Sequence, residues 1–251
     1  MQLNDTAAIV TGGASGLGAA TAATLAEKGA SVFALDLQAS IDNAAAVAGV
    51  TYLAADVTDE GQVRAAVATA NEGAPLRTVV NCAGIGPSAR ILGRKGVHDL
   101  ALYTKIVQIN LVGSFTVLAL ASEAIAGTEP DENGQRGVIV NTASIAAFDG
   151  QIGQVAYASS KGGIVGMTLP AARDLAQYGI RVCTIAPGIV ATPMLATVSE
   201  EFRAGLAAGV PFPQRLAEPA EYAKLVTMIV DHDYLNGETI RMDGALRMAP
   251  R

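Results

Sequence analysis

Three residues of this sequence have the types and spacing needed to take a proton from an alcohol. Tyr157 and Lys161 lie four apart in Tyr157-Ala158-Ser159-Ser160-Lys161, and Ser144 precedes Tyr157 in the chain. A four-residue interval on a helix places both side chains on one face. A free tyrosine, with a pKa of about 10, is a poor base at neutral pH. A neighbouring ammonium favours the tyrosinate. Lowering the phenol by ~3 units requires ~4 kcal/mol of differential stabilisation, within reach of two nearby cations in a dry cleft. Ser144 would hold the substrate oxygen while Tyr157 removes its proton.

Such chemistry needs an acceptor for the hydride, and the sequence contains a place for one. Thr11-Gly12-Gly13-Ala14-Ser15-Gly16-Leu17-Gly18 joins a β-branched run to an alanine-rich segment. Glycines there let the backbone approach a pyrophosphate, and the helix that follows offers free N–H groups and a positive dipole end. Asp36 closes the next β-branched run, 18 residues after Gly18. An acidic side chain at that spacing accepts hydrogen bonds from adenosine ribose hydroxyls and repels the extra phosphate of NADP. NAD is therefore the expected cofactor. Asp56-Val57 and Asn81-Cys82-Ala83-Gly84 follow two further short runs, at an edge where adenine and ribose would rest.

These residues must be positioned by alternating strands and helices. Strands are expected at Thr6–Thr11, Ser31–Asp36, Thr51–Ala55, Thr78–Asn81, Gly137–Ala143, Ile180–Ala186 and Glu238–Arg241. Helices are expected at Ala14–Lys28, near Ala39–Ala48, and at Asp59–Asn71, Leu100–Ala126, Val155–Tyr178 and Pro219–Asp231. The pattern predicts one α/β domain over 1–251, a doubly wound Rossmann-type fold whose parallel sheet is covered by helices on both faces. Two stretches read as loops, Ile85–His98 and Gly188–Arg215, both after strands, where ligands of open parallel sheets bind. The second, about 188–215, is expected to cover the substrate.

Composition narrows the partners. The chain of 251 residues is 51% hydrophobic, 16% charged and carries a net charge of −6. No dense Lys/Arg run marks a nucleic-acid surface. No uninterrupted apolar run reaches the roughly 18 residues of a membrane span. Cys82 and Cys183 form no C-x-x-C pair, and His98 and His232 lie far apart, so neither a disulfide nor a zinc site is expected. A strand begins within a few residues of Met1, leaving no room for a leader, so a cytoplasmic location is expected. So apolar a chain is expected to bury surface between subunits.

Taken together, TGGASGLG at 11–18, Asp36, NCAG at 81–84, Asn110, Ser144, YASSK at 157–161 and PGIVATPM at 187–194 resemble the short-chain dehydrogenase/reductase family across nearly the whole chain. The stretches GQRGVIVNTASIAAFDGQIGQVAYASSKGGIVGMTLPAARDLA, VPFPQRLAEPAEYA and NGETIRMDGALRMAP, with Pro170 inside a helix, look like the type 2 3-hydroxyacyl-CoA dehydrogenase group. The resemblance implies an NAD-dependent enzyme that interconverts short-chain or branched 3-hydroxyacyl-CoA and 3-oxoacyl-CoA, assembled as a homotetramer. By the same resemblance Gly12, Ser15, Gly16, Leu17 and Gly18 contact the cofactor, Asp36 its ribose, and Asp56 and Val57 flank adenine. Asn81, Cys82, Ala83 and Gly84 line the cleft, and Pro187, Gly188, Val190 and Thr192 reach the nicotinamide end. Lys161 holds the nicotinamide ribose, and Asn110 holds a water chain for proton exchange. Met194, Leu195, Phe202 and Leu206 are candidate walls for the acyl group. A hydroxysteroid or sugar-alcohol dehydrogenase, or a 3-oxoacyl carrier-protein reductase, shares the fold. A catalytically silent NAD-binding regulator would be expected to lack Ser144, Tyr157 or Lys161, and all three are present.

Overall fold

The computed structural model describes residues 1–94, 96–195 and 199–250, without the side chain of Met194. In chain order the elements are β1 (Ala7–Thr11), α1 (Gly16–Glu27), β2 (Ser31–Asp36), α2 (Gln38–Ile41), β3 (Val50–Ala54), α3 (Glu60–Ala70), β4 (Leu76–Asn81), β5 (Leu92–Gly93) and β6 (Gly96–Val97). There follow α4 (Leu100–Val107), a π-helical turn (Gln108–Gly113), α5 (Ser114–Ala126), β7 (Gly137–Thr142), α6 (Ala146–Asp149), α7 (Val155–Leu175), β8 (Ile180–Pro187), α8 (Glu200–Ala208), α9 (Pro219–Asp231) and β9 (Thr239–Met242). Seven strands form one sheet in the order β3-β2-β1-β4-β7-β8-β9, every pair parallel. This is the doubly wound, Rossmann-type arrangement expected from the alternation.

The pleat explains how an almost wholly apolar strand serves two cores. In β1, Ala7 and Ile9 face the layer containing Val63, Val117 and Ile125 of α3 and α5. Ala8 and Val10 face the opposite layer, with Leu25 of α1 and Tyr222, Val226 and Ile229 of α9. Strands buried on both faces read as continuous apolar runs, not as alternation. Local signals set several helix starts. The Asp59 carboxylate accepts from the Gln62 amide at 3.0 Å and caps α3. Pro219 opens α9, where its missing N–H costs nothing.

Four elements differ from the sequence expectation. The helix expected near 39–48 is a single turn, since Asp42 and Asn43 follow it at once and favour turns. β7 ends at Thr142, so Ser144 stands two residues past the strand. The loop at 85–98 contains the β5–β6 hairpin, and the one at 188–215 contains α8. The helical stretch Leu100–Ala126 passes through a π turn, a form that recurs at functional sites. Its polar residues break any uninterrupted apolar run, yet by length and composition it could cross a membrane. Here it packs on the sheet, with 44% of its most apolar stretch buried.

Because the main sheet is all parallel, the ends at Thr11, Asp36, Ala54, Asn81, Thr142 and Pro187 share one edge. The sequence-predicted site residues cluster on the segments leaving that edge. The strand order reverses between β1 and β4, the switch point where such sheets bind ligands.

Candidate active site

The glycine turn leaves β1 tightly closed. Gly12 has φ +64°, and a Cβ there would lie 2.9 Å from the Ala83 amide nitrogen. A Cβ on Gly18 would collide with the Gly12 carbonyl. Gly12 therefore lets β1 and β4 exit side by side, and Gly18 lets α1 pack onto the turn. The Ser15 side chain makes no capping bond, leaving the first turn of α1 to other acceptors. Thr192 stands across from this turn, its Cβ 3.6 Å from where a Gly16 Cβ would be. The bare backbone, the helix start and the facing Thr192 fit a dinucleotide pyrophosphate. Asp36 lies at the rim, where its carboxylate accepts from Ala14 N at 3.1 Å and Leu37 N at 2.8 Å. A carboxylate has about four lone-pair sites, so capacity remains for ribose hydroxyls.

Three expected contact residues have different surroundings. Asn81 is buried, and its amide donates to Asn141 Oδ1 at 2.9 Å and to the Ser114 carbonyl at 3.3 Å. Its side chain ties β4 to β7 and α5 and does not line the cleft. Val57 is buried too, packed against Gly113 of the π turn, so its side chain belongs to the core. Asp56 turns inward on Thr58, accepting from its amide and its hydroxyl. Cys82 and Ala83 are held by their amides, both donating to the Thr11 hydroxyl at 3.1 Å. Gly84 is exposed, close to the Asn110 amide oxygen and the Lys161 ammonium.

The catalytic candidates converge. Lys161 is 5% exposed, and its Nζ donates to the Thr142 carbonyl at 2.7 Å. That nitrogen lies 5.8 Å from the centre of the Tyr157 ring. The Ser144 hydroxyl accepts from Ala146 N at 3.1 Å, which fixes it at the start of α6. Asn110 is wholly buried and fully engaged. Its amide donates to the Ile85 carbonyl and the Ser160 hydroxyl, and its oxygen accepts from Ile85 N at 2.8 Å. Ser160 in turn donates to the Tyr157 carbonyl at 2.8 Å. The Asn110 side chain thus clasps the Ile85 segment to the turn that carries Tyr157. Its main-chain oxygen accepts from the Ser114 hydroxyl at 2.8 Å.

The electrostatics revise one expectation. Burial pushes the Tyr157 phenol above the ordinary tyrosine range, while Ser144 facing it pulls the other way. Burial lowers Lys161 to about 8, only partly opposed by the nearby Cys82 thiol. In the protein alone, desolvation outweighs the one opposing influence on the phenol, the Ser144 hydroxyl. The remaining charge must come from the ligand side of the cleft.

The cover is less closely packed. Pro187 and Val190 are buried at its root, where Val190 bridges to Ala217 and the Pro187 carbonyl accepts from Ile145 N. Gly188 passes so close to Asp243 that a Cβ would be crowded. Beyond Thr192, Leu195 and Leu206 are half-buried and Phe202 is exposed; α8 buries no residue. The side chain of Met194, with Ala196, Thr197 and Val198, lies outside the described residues. Among the described residues no cluster of His, Cys, Asp or Glu could hold a metal ion.

Sequence reasoning did not single out Thr11, Thr142, Ser160 or Tyr222. Thr11 and Ser160 sit inside motifs already noticed, and their hydroxyls could have been asked for partners. Thr142 and Tyr222 meet only through the fold.

Comparison with known proteins agrees with this geometry. The chain is 51% identical to 3-hydroxyacyl-CoA dehydrogenase type-2 of Drosophila melanogaster, over 99% of this chain and 100% of that protein. It is 51% identical to the Homo sapiens protein of the same name, over 97% and 95%. A crystal structure of 3-hydroxyacyl-CoA dehydrogenase type-2 from Mycobacterium avium is similar at a TM-score of 0.92 and 43% identity, covering 98% of each chain. Residues 6–202 match the short chain dehydrogenases, and this chain belongs to that family of NAD(P)-using oxidoreductases.

Proposed function

We propose that the protein is an NAD-dependent 3-hydroxyacyl-CoA dehydrogenase acting on short-chain or branched acyl groups. The observation that carries the chemistry is the convergence of Ser144, Tyr157 and Lys161 beside a bare glycine turn. The acyl-CoA substrate is supported by the names of relatives at about half identity over nearly the full chain. Ser144 holds the 3-hydroxyl oxygen, and Tyr157 takes its proton. Nicotinamide, when bound, accepts the hydride and adds the positive charge that favours tyrosinate. Lys161, anchored on the Thr142 carbonyl, holds the ribose and keeps a cation near the phenol. Asn110 steadies the Tyr157 turn through Ser160. Asp36 at the end of β2 supports NAD over NADP, since a 2′-phosphate there would meet a carboxylate.

Reduction of acetoacetyl-CoA, followed by the loss of NADH absorbance, tests this reading. Turnover should be lost with Tyr157→Phe and should prefer NADH to NADPH. Inactivity on acyl-CoA, with turnover of a carrier-protein thioester or a steroid, would replace the substrate assignment.

A homotetramer belongs to the same proposal. Leu100, Val112 and Phe115 on the α4–α5 stretch and Val155 and Leu169 on α7 expose large apolar side chains. Exposed large apolar side chains gathered on the faces of long helices are the kind of surface that association covers. Light scattering at micromolar concentration should give four copies; a monomer would refute it.

A further inference from the structure

Tyr222 is the largest of the fully buried side chains, and its hydroxyl does not face solvent. It projects from the first turn of α9 to the end of β7, where its oxygen lies 2.7 Å from the Thr142 hydroxyl. The Cys82 thiol donates to the Tyr222 oxygen at 3.7 Å and accepts from the Thr142 hydroxyl at 3.6 Å. The three groups close a triangle joining the segment just past β4 to β7 and α9. Thr142 is the pivot: its carbonyl holds the Lys161 ammonium, and Ser144 stands two residues further along the chain.

We propose that Tyr222 is a positioning residue for the Ser144–Tyr157–Lys161 site, acting through Thr142. The inference takes the dehydrogenase reading as its setting but rests on this buried triangle. The Thr142 carbonyl shares its peptide with the Ala143 amide, which donates to the Ile185 carbonyl at 2.8 Å and holds that plane from β8; the bond from Tyr222 to the Thr142 hydroxyl holds the residue from the other side. A carbonyl aimed at Nζ favours the charged form of the lysine and sets its distance from the phenol. The groups facing Lys161 are Tyr157 of its own helix, the Thr142 carbonyl of β7 and the Cys82 thiol just past β4 with Tyr222 of α9 behind it, and Asn110 of the π turn lies beside Gly84 as Lys161 does. Among the described residues no carboxylate shifts its titration. Tyr222 is itself anchored from the cover: Arg215 grips both oxygens of Glu221, the preceding residue, at 2.7 and 2.8 Å.

The test compares Tyr222→Phe, which removes one oxygen and keeps the ring, with Thr142→Val and with the double variant. Lys161 is titrated by NMR of lysine labelled at Cε in protein without added cofactor, its signal assigned by loss in Lys161→Ala. Each single variant should lower the Lys161 titration by about half a unit, because the ammonium loses a fixed acceptor. The double variant should move it no further, the mark of two residues acting through one contact. In acetoacetyl-CoA reduction each single variant should lose about tenfold in kcat, with the double again no worse. Val226→Ala, one turn along α9, should lower the melting temperature and leave the titration in place. An unmoved titration in Tyr222→Phe, or additive shifts in the double variant, overturns the proposal. A shifted titration without any turnover of acetoacetyl-CoA leaves the positioning role standing and removes the substrate reading instead. If Tyr222→Phe fails to fold, Thr142→Val and Thr142→Ser decide, since serine keeps the hydroxyl and should behave as the parent.

Discussion

The floor of the cleft and its cover are built on opposite terms. On the floor, Lys161, Asn110, Thr142 and Ser160 are all buried, and each has its polar atoms matched to a partner. In the cover, α8 buries nothing and Phe202 stands 55% exposed. Buried polar groups are costly unless satisfied, and once satisfied they permit a single arrangement. An amphipathic segment with no buried face is held by little and fits itself to what it meets. On the proposed function, proton transfer would be fixed by the floor and acyl selection left to the cover.

The greatest loss is expected at Tyr157, on the floor. Tyr157→Phe should keep the fold and lower turnover by ~10²–10⁴-fold, because a positioned base contributes about that much. Residual activity near normal in the acetoacetyl-CoA assay would mean that the floor does not hold the base.

The next largest effect is on stability. Lys161 titrates near 8 in the fold, below the ordinary 10.5. Between those values the unfolded chain binds more protons than the native one, so stability rises as pH increases through that window. Below it the buried charge imposes its full cost of up to about 3 kcal/mol. Lys161→Met should therefore be more stable than the parent at pH 7, with the gap closing by pH 10.5, while losing activity. Denaturant melts at the two pH values measure this. An equal gap at both would show that burial does not strain the lysine.

Asp36→Ala should reduce the preference for NAD over NADP by about fivefold, since one nearby charge repulsion is worth about 1 kcal/mol in a wet cleft. Kinetics with both cofactors would show it, and an unchanged ratio would move the selection elsewhere.

The smallest expected effect sharpens the contrast from the cover side. Phe202→Ala should change stability by less than about 0.5 kcal/mol, as exposed substitutions do. It should raise KM for longer acyl-CoA esters by less than about tenfold while leaving kcat for acetoacetyl-CoA near that of the parent. A large loss of stability would show that α8 is packed as tightly as the floor.

The sequence alone determined the strand–helix alternation, the glycine turn, Asp36 and the Tyr157–Lys161 pair, because those signals are local. A four-residue interval, a glycine that must adopt a left-handed φ and an acid closing a strand need no knowledge of what lies across the fold. The resemblance then added Asn110, while the cover was already legible as a long loop after a strand. Which polar residues face the cleft and which brace it depends on contacts made across the fold. Asn81 binds Asn141 and Ser114, residues distant in sequence, and is withdrawn from the cleft; Val57 is drawn into the core by the π turn. Tyr222 and Thr142 lie 80 positions apart in the chain and meet at 2.7 Å. The desolvation that lifts Tyr157 and depresses Lys161 likewise exists only once α7 has closed against β7. Hydrogen-bond partners and burial depend on distance in space, and distant contacts leave no period or spacing in the sequence from which to read them.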